Sequence, residues 1–422
     1  IRRQRQMCIR DSFSSFDSVK REDLWTYQEI QRGLGHENFS IPHNANVSNS
    51  LMYPLVNSYG QPIDKDWAER YQRNSPATEI VQTKGASETH PRISPSDEFA
   101  DFEQGFVHLL GSGGVVGKID HSYIRRALTD GVGFQEMIGA NPYKFGIVAG
   151  SDSHDAASIN EEFNYTGVHG NTDKTPEIRI NAPVTVAGEA PRSFGTGGAT
   201  GVWAPENTRE AIFDGIARKE TFGTSGPLIR VRFFGGWDFP DGLVDQESFV
   251  ATAYDKGVPM GGDLPAKPDA AKAPTFAAWA LKDPESGNLD RIQIIKGWYD
   301  KTGNGRQKVY DVAWSDGRKM DANGKLPAVG NTVDLAHATY TNSIGDVELK
   351  AVWTDPDFDP SRHAMYYVRV IEIPTPRWTT YDAVKLGLAP PPDGPATIQE
   401  RAFTSPIWYT PHPSLVEKAD FY

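Results

Sequence analysis

Asp152 and His154 stand two residues apart in Gly150-Ser151-Asp152-Ser153-His154, directly after the apolar run Phe145-Gly146-Ile147-Val148-Ala149. On an extended segment, side chains two apart point the same way, so both can reach one metal ion. His43 closes a second exit, Asn38-Phe39-Ser40-Ile41-Pro42-His43-Asn44. Glu88 and His90 stand in a third, Lys84-Gly85-Ala86-Ser87-Glu88-Thr89-His90, after the strand expected at Thr78–Gln82. Mixed carboxylate and imidazole sets suit Zn, Mn or Fe, and an ion held this way lowers the pKa of a bound water until it becomes a nucleophile. A lone histidine at a strand end is more often structural; three converging exits make a metal centre the better reading. Glu79 is a weaker candidate and reads first as a strand carboxylate. Lys84 and Arg92 lie beside these ligands, as do Tyr143 and Lys144, and a basic group there could stabilise charge developing on a phosphate. Each is equally well explained as a surface or salt-bridged residue. His108, His121, His169, His337, His363 and His412 match no ligand spacing and read as structural.

The elements that must position these groups read as follows. Arg21–Gly33 and Lys65–Arg73 have helical spacing, and helices are expected at Ser96 to about Leu110, Ser122–Thr129 and Pro205–Lys219, the last with Pro205 in its first turn. Strands at Thr78–Gln82 and Phe145–Ala149 alternate with them, the pattern of a parallel sheet or barrel. Asp155–Thr200 is a long insertion. Within it, Phe194–Gly201 is glycine-rich but lacks the Gly-Lys-Ser/Thr ending of a phosphate loop, and reads as a flexible or lid-like segment. Beyond about residue 226 the pattern changes. Leu228–Phe234, Thr275–Leu281, Arg291–Trp298, Lys308–Trp314, Val347–Trp353 and Met365–Ile373 read as strands divided by turn clusters, which predicts a mainly antiparallel β-sandwich. Seven of the ten tryptophans fall there, read mostly as packing. Asp355-Pro356-Asp357-Phe358-Asp359 alternates carboxylates, but Pro360 and Tyr366 break the calcium-loop pattern, so it reads as a turn.

The chain has 422 residues, enough for two domains, with 30 prolines, 40 glycines and a formal net charge of −12. That charge argues against a nucleic-acid surface, and no apolar run reaches the roughly 18 residues of a membrane span. Met7-Cys8-Ile9-Arg10-Asp11-Ser12 reads as the translation of a sequencing-library adapter, with residues 1–12 artefactual and Cys8, the single cysteine, not native. On that reading the natural chain extends upstream. Absence of cysteine fits an exported bacterial protein without requiring one, and the compartment stays open.

Several stretches together resemble a known family: Ile41-Pro42-His43-Asn44, Lys84–Pro91, Gly150–His154, Thr224-Ser225-Gly226-Pro227, Gly235-Gly236-Trp237-Asp238-Phe239 and Ile373-Pro374-Thr375-Pro376-Arg377-Trp378. The family is the bacterial domain of unknown function 3604, and the resemblance runs from about residue 20 to the C-terminus. That family is in turn similar to the PHP superfamily, named for polymerase and histidinol phosphatase domains. The resemblance implies a distorted β/α barrel, two or three divalent ions and hydrolysis of phosphoesters. His43 then matches the mid-chain PHP histidine, and Asp152 with His154 the closing Asp-x-His pair. Glu88 and His90 belong to a family motif without a secure PHP counterpart. PHP domains open with a His-x-His pair, which this chain lacks; its first histidine, His36, lies in an expected turn.

The expectation is therefore an α/β protein: an incomplete PHP-like barrel over residues 13–226 and a β-rich accessory domain over 227–422. It would be a metal-dependent hydrolase of a small-molecule ester, most readily a phosphoester, with part of its metal shell missing, poor metal binding and little turnover. The competing readings are a non-catalytic binding or surface protein with a degenerate barrel, and a hydrolase of sulfate or carboxyl esters.

Overall fold

The structure, a computed structural model, describes residues 13–104, 117–155, 157, 160–183 and 189–415. Residues 1–12, read as an adapter, and the far end of the helix expected to reach Leu110 lie outside the described residues. The near end of that segment forms turns instead of a helix. The Asp97 carboxylate accepts the Phe99 N–H at 3.0 Å, a local bond that competes with helix formation.

The other expected helices are present. Arg21–Gly33 and Lys65–Asn74 pack through Trp25, whose ring meets Trp67 and Tyr71 edge-on. The Asp64 side chain caps the second of these at the Trp67 N–H. The helix expected to start near Ser122 covers Ile124–Ile138 and stops where Gly139 turns left-handed. The helix expected from Pro205 begins at Arg209, because the Thr208 side chain accepts the Ala211 N–H and sets the start.

Four short strands form the layer that carries the candidate site. β1 (Ala77–Glu79) and β4 (Gly146–Val148) pair in parallel, Glu79 opposite Val148. β2 (Val81–Gln82) and β3 (Gly85–Ala86) form a hairpin directly after β1. Asn38–Ile41, expected as a strand, is not one; it runs extended, held by Ser40 N–H to Asn74 O at 2.8 Å.

The remaining strands build two larger sheets, antiparallel throughout. One contains β5 (Ala199–Val202), β6 (Thr221–Thr224), β10 (Leu289–Tyr299), β11 (Gly305–Trp314), β13 (Ala364–Glu372), β16 (Arg401–Thr404) and β17 (Ile407–Tyr409), in the order β11-β10-β13-β16-β6-β5 with β17 also on β13. The other runs β12 (Glu348–Thr354), β9 (Thr275–Leu281), β7 (Arg230–Gly236), β8 (Gly257–Pro259). A small pair, β14 (Thr375–Pro376) and β15 (Thr397–Ile398), stands apart. The six strands expected beyond residue 226 are all found, within a few residues of their expected ends.

β13 shows how the layers stack. Every residue of Ala364–Glu372 is buried. Tyr366, Val368 and Val370 face the smaller sheet in a cluster with Val231, Phe233, Phe276 and Ala278, while Met365 and Tyr367 face the opposite way, into a cluster with Trp25, Ile80, Leu128 and Ile147. A strand covered on both faces loses its polar alternation. The molecule is thus three layers: the small sheet, the large sheet, and a layer of helices with the site strands.

This arrangement does not show the expected incomplete barrel. Among the described residues there is no closed barrel; only β1 and β4 pair in parallel. β5 and β6, from the expected barrel half, instead join the large sheet through β16. That sheet therefore runs across residue 226. No described helix is long and apolar enough to cross a membrane.

A buried ionic network joins the site layer to the large sheet. Arg369 on β13 donates to Glu88 at 3.0 Å and to Asp97 at 2.8 Å. Arg125 bonds the same two carboxylates, and the Tyr367 hydroxyl donates to Glu88 at 2.7 Å. Burial alone would raise both acids; the two guanidinium groups outweigh it and hold both below the usual carboxylate range. Removing one partner leaves a buried charge uncompensated, so Arg369→Met is expected to cost about 3–5 kcal/mol in guanidinium denaturation. Lys65→Ala, which breaks an exposed pair with Glu69, is expected to cost less than about 0.5 kcal/mol.

Candidate functional site

Three backbone segments converge where β1 and β4 end. Ile80 N–H donates to Val148 O at 2.8 Å, Gly150 N–H to Val81 O at 3.1 Å and Thr83 N–H to Ser151 O at 3.1 Å, so the chains stay paired beyond the strands themselves. The third segment is Phe194–Gly201, expected as a lid. It is instead locked in place: Gly195 N–H donates to Thr83 O at 2.8 Å and Gly198 N–H to Gly150 O at 2.7 Å before the chain enters β5. Pro42 O accepts the Glu79 N–H at 3.0 Å and delivers His43 beside the same strand end.

Asp152 is the centre of the resulting cluster. One carboxylate oxygen accepts from the Lys84 ammonium and from Gln82 Nε2 at 3.0 Å; the other lies 3.3 Å from His154 Nε2. Gln82 also donates to the Asn44 side chain and accepts the Lys84 N–H at 2.9 Å, clamping three segments with one amide. Burial pushes the Asp152 carboxyl up, but Lys84 first, then His43 and His154, outweigh it and hold it below its ordinary range. Lys84 is buried, while His43 and His154 are exposed and open the cluster to solvent. Asp152 and Asn44 both have left-handed backbones, φ +51° and +64°, a conformation Asp and Asn tolerate better than other non-glycine residues.

Glu79 is the second acid of the site. Its Oε2 is buried without a hydrogen-bond partner, and its Oε1 lies 2.7 Å from where a Cβ on residue 150 would stand, so Gly150 makes the space it occupies. Burial, then the negative charge of Asp152, raise this carboxyl to about 7 against the opposing pull of Lys84. A carboxyl poised there is half-protonated at neutral pH, the condition a general acid or base needs.

The expected ligands divide accordingly. His43, Glu79, Asp152 and His154 come together, with Lys84 among them. Glu88 is turned away into the arginine network. His90 packs against Tyr123 and bonds the Arg92 N–H through Nδ1, and Arg92 itself is exposed. Asp355 and Asp357, read as a turn, pair with Lys296 and Lys308. Two members of the cluster were missed. Gln82 carries no charge, and no spacing signals it. His169 meets the His154 ring edge-on at 5.1 Å, and its N–H and that of Val168 bond the Asp173 carboxylate; only a contact across the insertion brings it there.

The donor types suit a divalent ion, but their arrangement does not. Among the described residues no three His, Cys, Asp or Glu side chains are grouped so as to hold one. Asp152 already faces the Lys84 ammonium.

Two outcomes follow. Between the ordinary glutamate value of 4.5 and about 7, folded Glu79 holds a proton that the unfolded chain has lost, so this group lowers stability as pH rises through that window. Glu79→Gln removes the effect: relative to wild type it is expected to gain roughly 3 kcal/mol at alkaline pH and little below the window, read by denaturant melts across pH. Elemental analysis after dialysis against Mn or Zn is expected to find fewer than two tightly held ions per chain.

The comparisons with known proteins extend the sequence reading only as far as the family. No curated protein and no solved structure matches the chain. A family model described as protein of unknown function (DUF3604) matches residues 2–411. The chain is therefore a member of the DUF3604 family.

Proposed function

We propose that this chain is a hydrolase of anionic esters, phosphoesters first, acting through the Glu79–Lys84–Asp152 cluster. The observation that carries the reading is Glu79: a carboxyl raised to about 7 beside a buried ammonium, with one oxygen unpartnered. Asp152 and Gln82 hold the lysine in place. The exposed imidazoles of His43 and His154 flank the entrance and offer donors to ester oxygens.

The steps use the chain's own side chains. Ionised Glu79 accepts a proton from water as its oxygen bonds to phosphorus. Lys84 stabilises the negative charge that builds on the non-bridging oxygens. The bond to the leaving alkoxide breaks, and the proton held by Glu79 passes to that alkoxide, restoring the carboxylate. Resemblance to the PHP superfamily supports the substrate class and would assign the nucleophile to a metal-bound water; the grouping of side chains supports the carboxyl.

The test is turnover of aryl phosphate mono-, di- and triesters, aryl sulfates and aryl carboxylates, with and without Mn or Zn. The reading predicts hydrolysis of one phosphoester class, with a rate that rises through neutral pH on a single inflection. Glu79→Gln should abolish that inflection and lower the rate by about 10²–10⁴; Lys84→Met should lower it by about 10²–10³. Retained phosphate binding with no turnover of any ester would establish the binding-protein reading instead.

A further inference from the structure

A cavity lined by Asn160–Phe163, Gly226–Leu228 and Asp283–Ser286 stands apart from the residues of the Asp152 cluster. It has a volume of about 460 Å³. Two stretches that the cluster at Asp152 does not use meet in its wall, Thr224–Pro227 and Ile373–Trp378, through Gly226, Pro227, Thr375 and Pro376. The wall is tightly drawn: Gly226 has φ +147°, and a Cβ there would stand 2.3 Å from Asn160 O. Only glycine lets those two chains approach so closely.

The lining is strongly acidic. Glu161, Glu162, Asp283, Glu285 and Glu400 contribute carboxyls, opposed among the described lining residues by Arg230 alone. Glu162 is fully engaged, accepting from Thr196 Oγ1 at 3.1 Å and from the Trp378 N–H. Glu400 is not. It is 1% exposed, and its Oε2 accepts from Ser225 Oγ, while its Oε1 is buried with no hydrogen-bond partner. A buried carboxyl oxygen left without a partner on a cavity wall calls for one from whatever fills the cavity. The rings of Tyr340 and Tyr381 also line it, and aromatic faces attract cations.

We propose that this cavity binds an organic cation bearing N–H donors, a primary ammonium or a guanidinium, with Glu400 as its counter-charge. The assignment does not rest on the ester-hydrolase reading. A metal ion is a poorer fit, since no three metal-ligating side chains are grouped among the described residues. A quaternary ammonium would leave Glu400 Oε1 without its donor.

The protonation of Glu400 gives the test its sign. Burial raises the carboxyl well above its usual range, and the facing acids Glu162, Glu372 and Glu103 raise it further, against the Ser225 hydrogen bond. The nearby cations are Arg401, beside Glu400, and Arg377, bonded to Glu103 at 2.8 Å. A cation must therefore displace a proton from Glu400, so its affinity rises with pH. A hydroxyl, carbonyl or anionic ligand that used the protonated carboxyl would bind more weakly as pH rises.

Isothermal titration of the full chain with 1,4-diaminobutane, in buffers of different ionisation enthalpy, reads both affinity and proton release. The proposal predicts binding with proton release, tightening as pH rises, and at least about tenfold weaker binding of tetramethylammonium. Glu400→Gln should weaken 1,4-diaminobutane by about ten- to a hundredfold. Leu228→Arg adds a positive charge at the cavity mouth on a residue 60% exposed; it should also weaken binding, and it serves if the Glu400 variant does not fold. No binding at millimolar amine, binding that neither variant alters, or proton uptake in place of release would overturn the proposal.

Discussion

Two buried arginines and two buried carboxylates hold the layers of this molecule together. Glu88 and Asp97 come from the loops after β3, Arg125 from the Ile124–Ile138 helix and Arg369 from the middle of β13. None of the four could be buried alone, because an isolated charge away from water is too unfavourable. They are stable only when loop, helix and sheet have assembled. Lys84 stands four residues before Glu88, at the turn of the β2–β3 hairpin. Pinning Glu88 to β13 therefore also fixes where Lys84 enters the site layer, and with it the partner of Asp152.

The cluster at the strand ends balances opposing charges. Lys84 is buried because Asp152 accepts from its ammonium while Gln82 holds Asp152 in turn, and Asp152 stays ionised because Lys84 faces it. That leaves too little positive charge for Glu79, which burial and Asp152 together keep near neutrality. The raised carboxyl of Glu79 is thus a consequence of how the lysine is shared. The same logic, without a lysine, applies to the cavity lined by Glu400, where several acids crowd that carboxyl and, among the described residues, its Oε1 has no hydrogen-bond partner.

Much of this architecture was legible in the amino-acid order. β9 and the Arg21–Gly33 helix lie where the sequence pattern placed them, the helix because it buries one face through Trp25 and Gln28, the strand because its apolar run is covered on both faces. Asp152 and His154 were recognisable because a strand exit brings polar residues to one edge; His43 reaches the same edge from an extended segment that forms no strand. Charge partners were not legible. Glu88 was read as a metal ligand beside His90, yet its counter-ion Arg369 is 281 residues away, a pairing no local spacing reveals. Glu79 was ranked low as a strand carboxylate, since its importance comes from an empty place beside Gly150 and an unpaired oxygen. The expected incomplete barrel is not seen among the described residues for a similar reason. Short strands alternating with helices suit a parallel barrel, but the pairing of β6 with β16, which takes β5 and β6 into the large sheet, is long-range and leaves no periodic trace.

The most direct measurement is a carbon-13 NMR titration of the Glu79 carboxyl, alone and with orthophosphate. The account predicts a midpoint of about 7, climbing when phosphate occupies the Lys84 side of the cluster and adds its negative charge to that of Asp152. A midpoint at the ordinary glutamate value of 4.5, unmoved by phosphate, would contradict it.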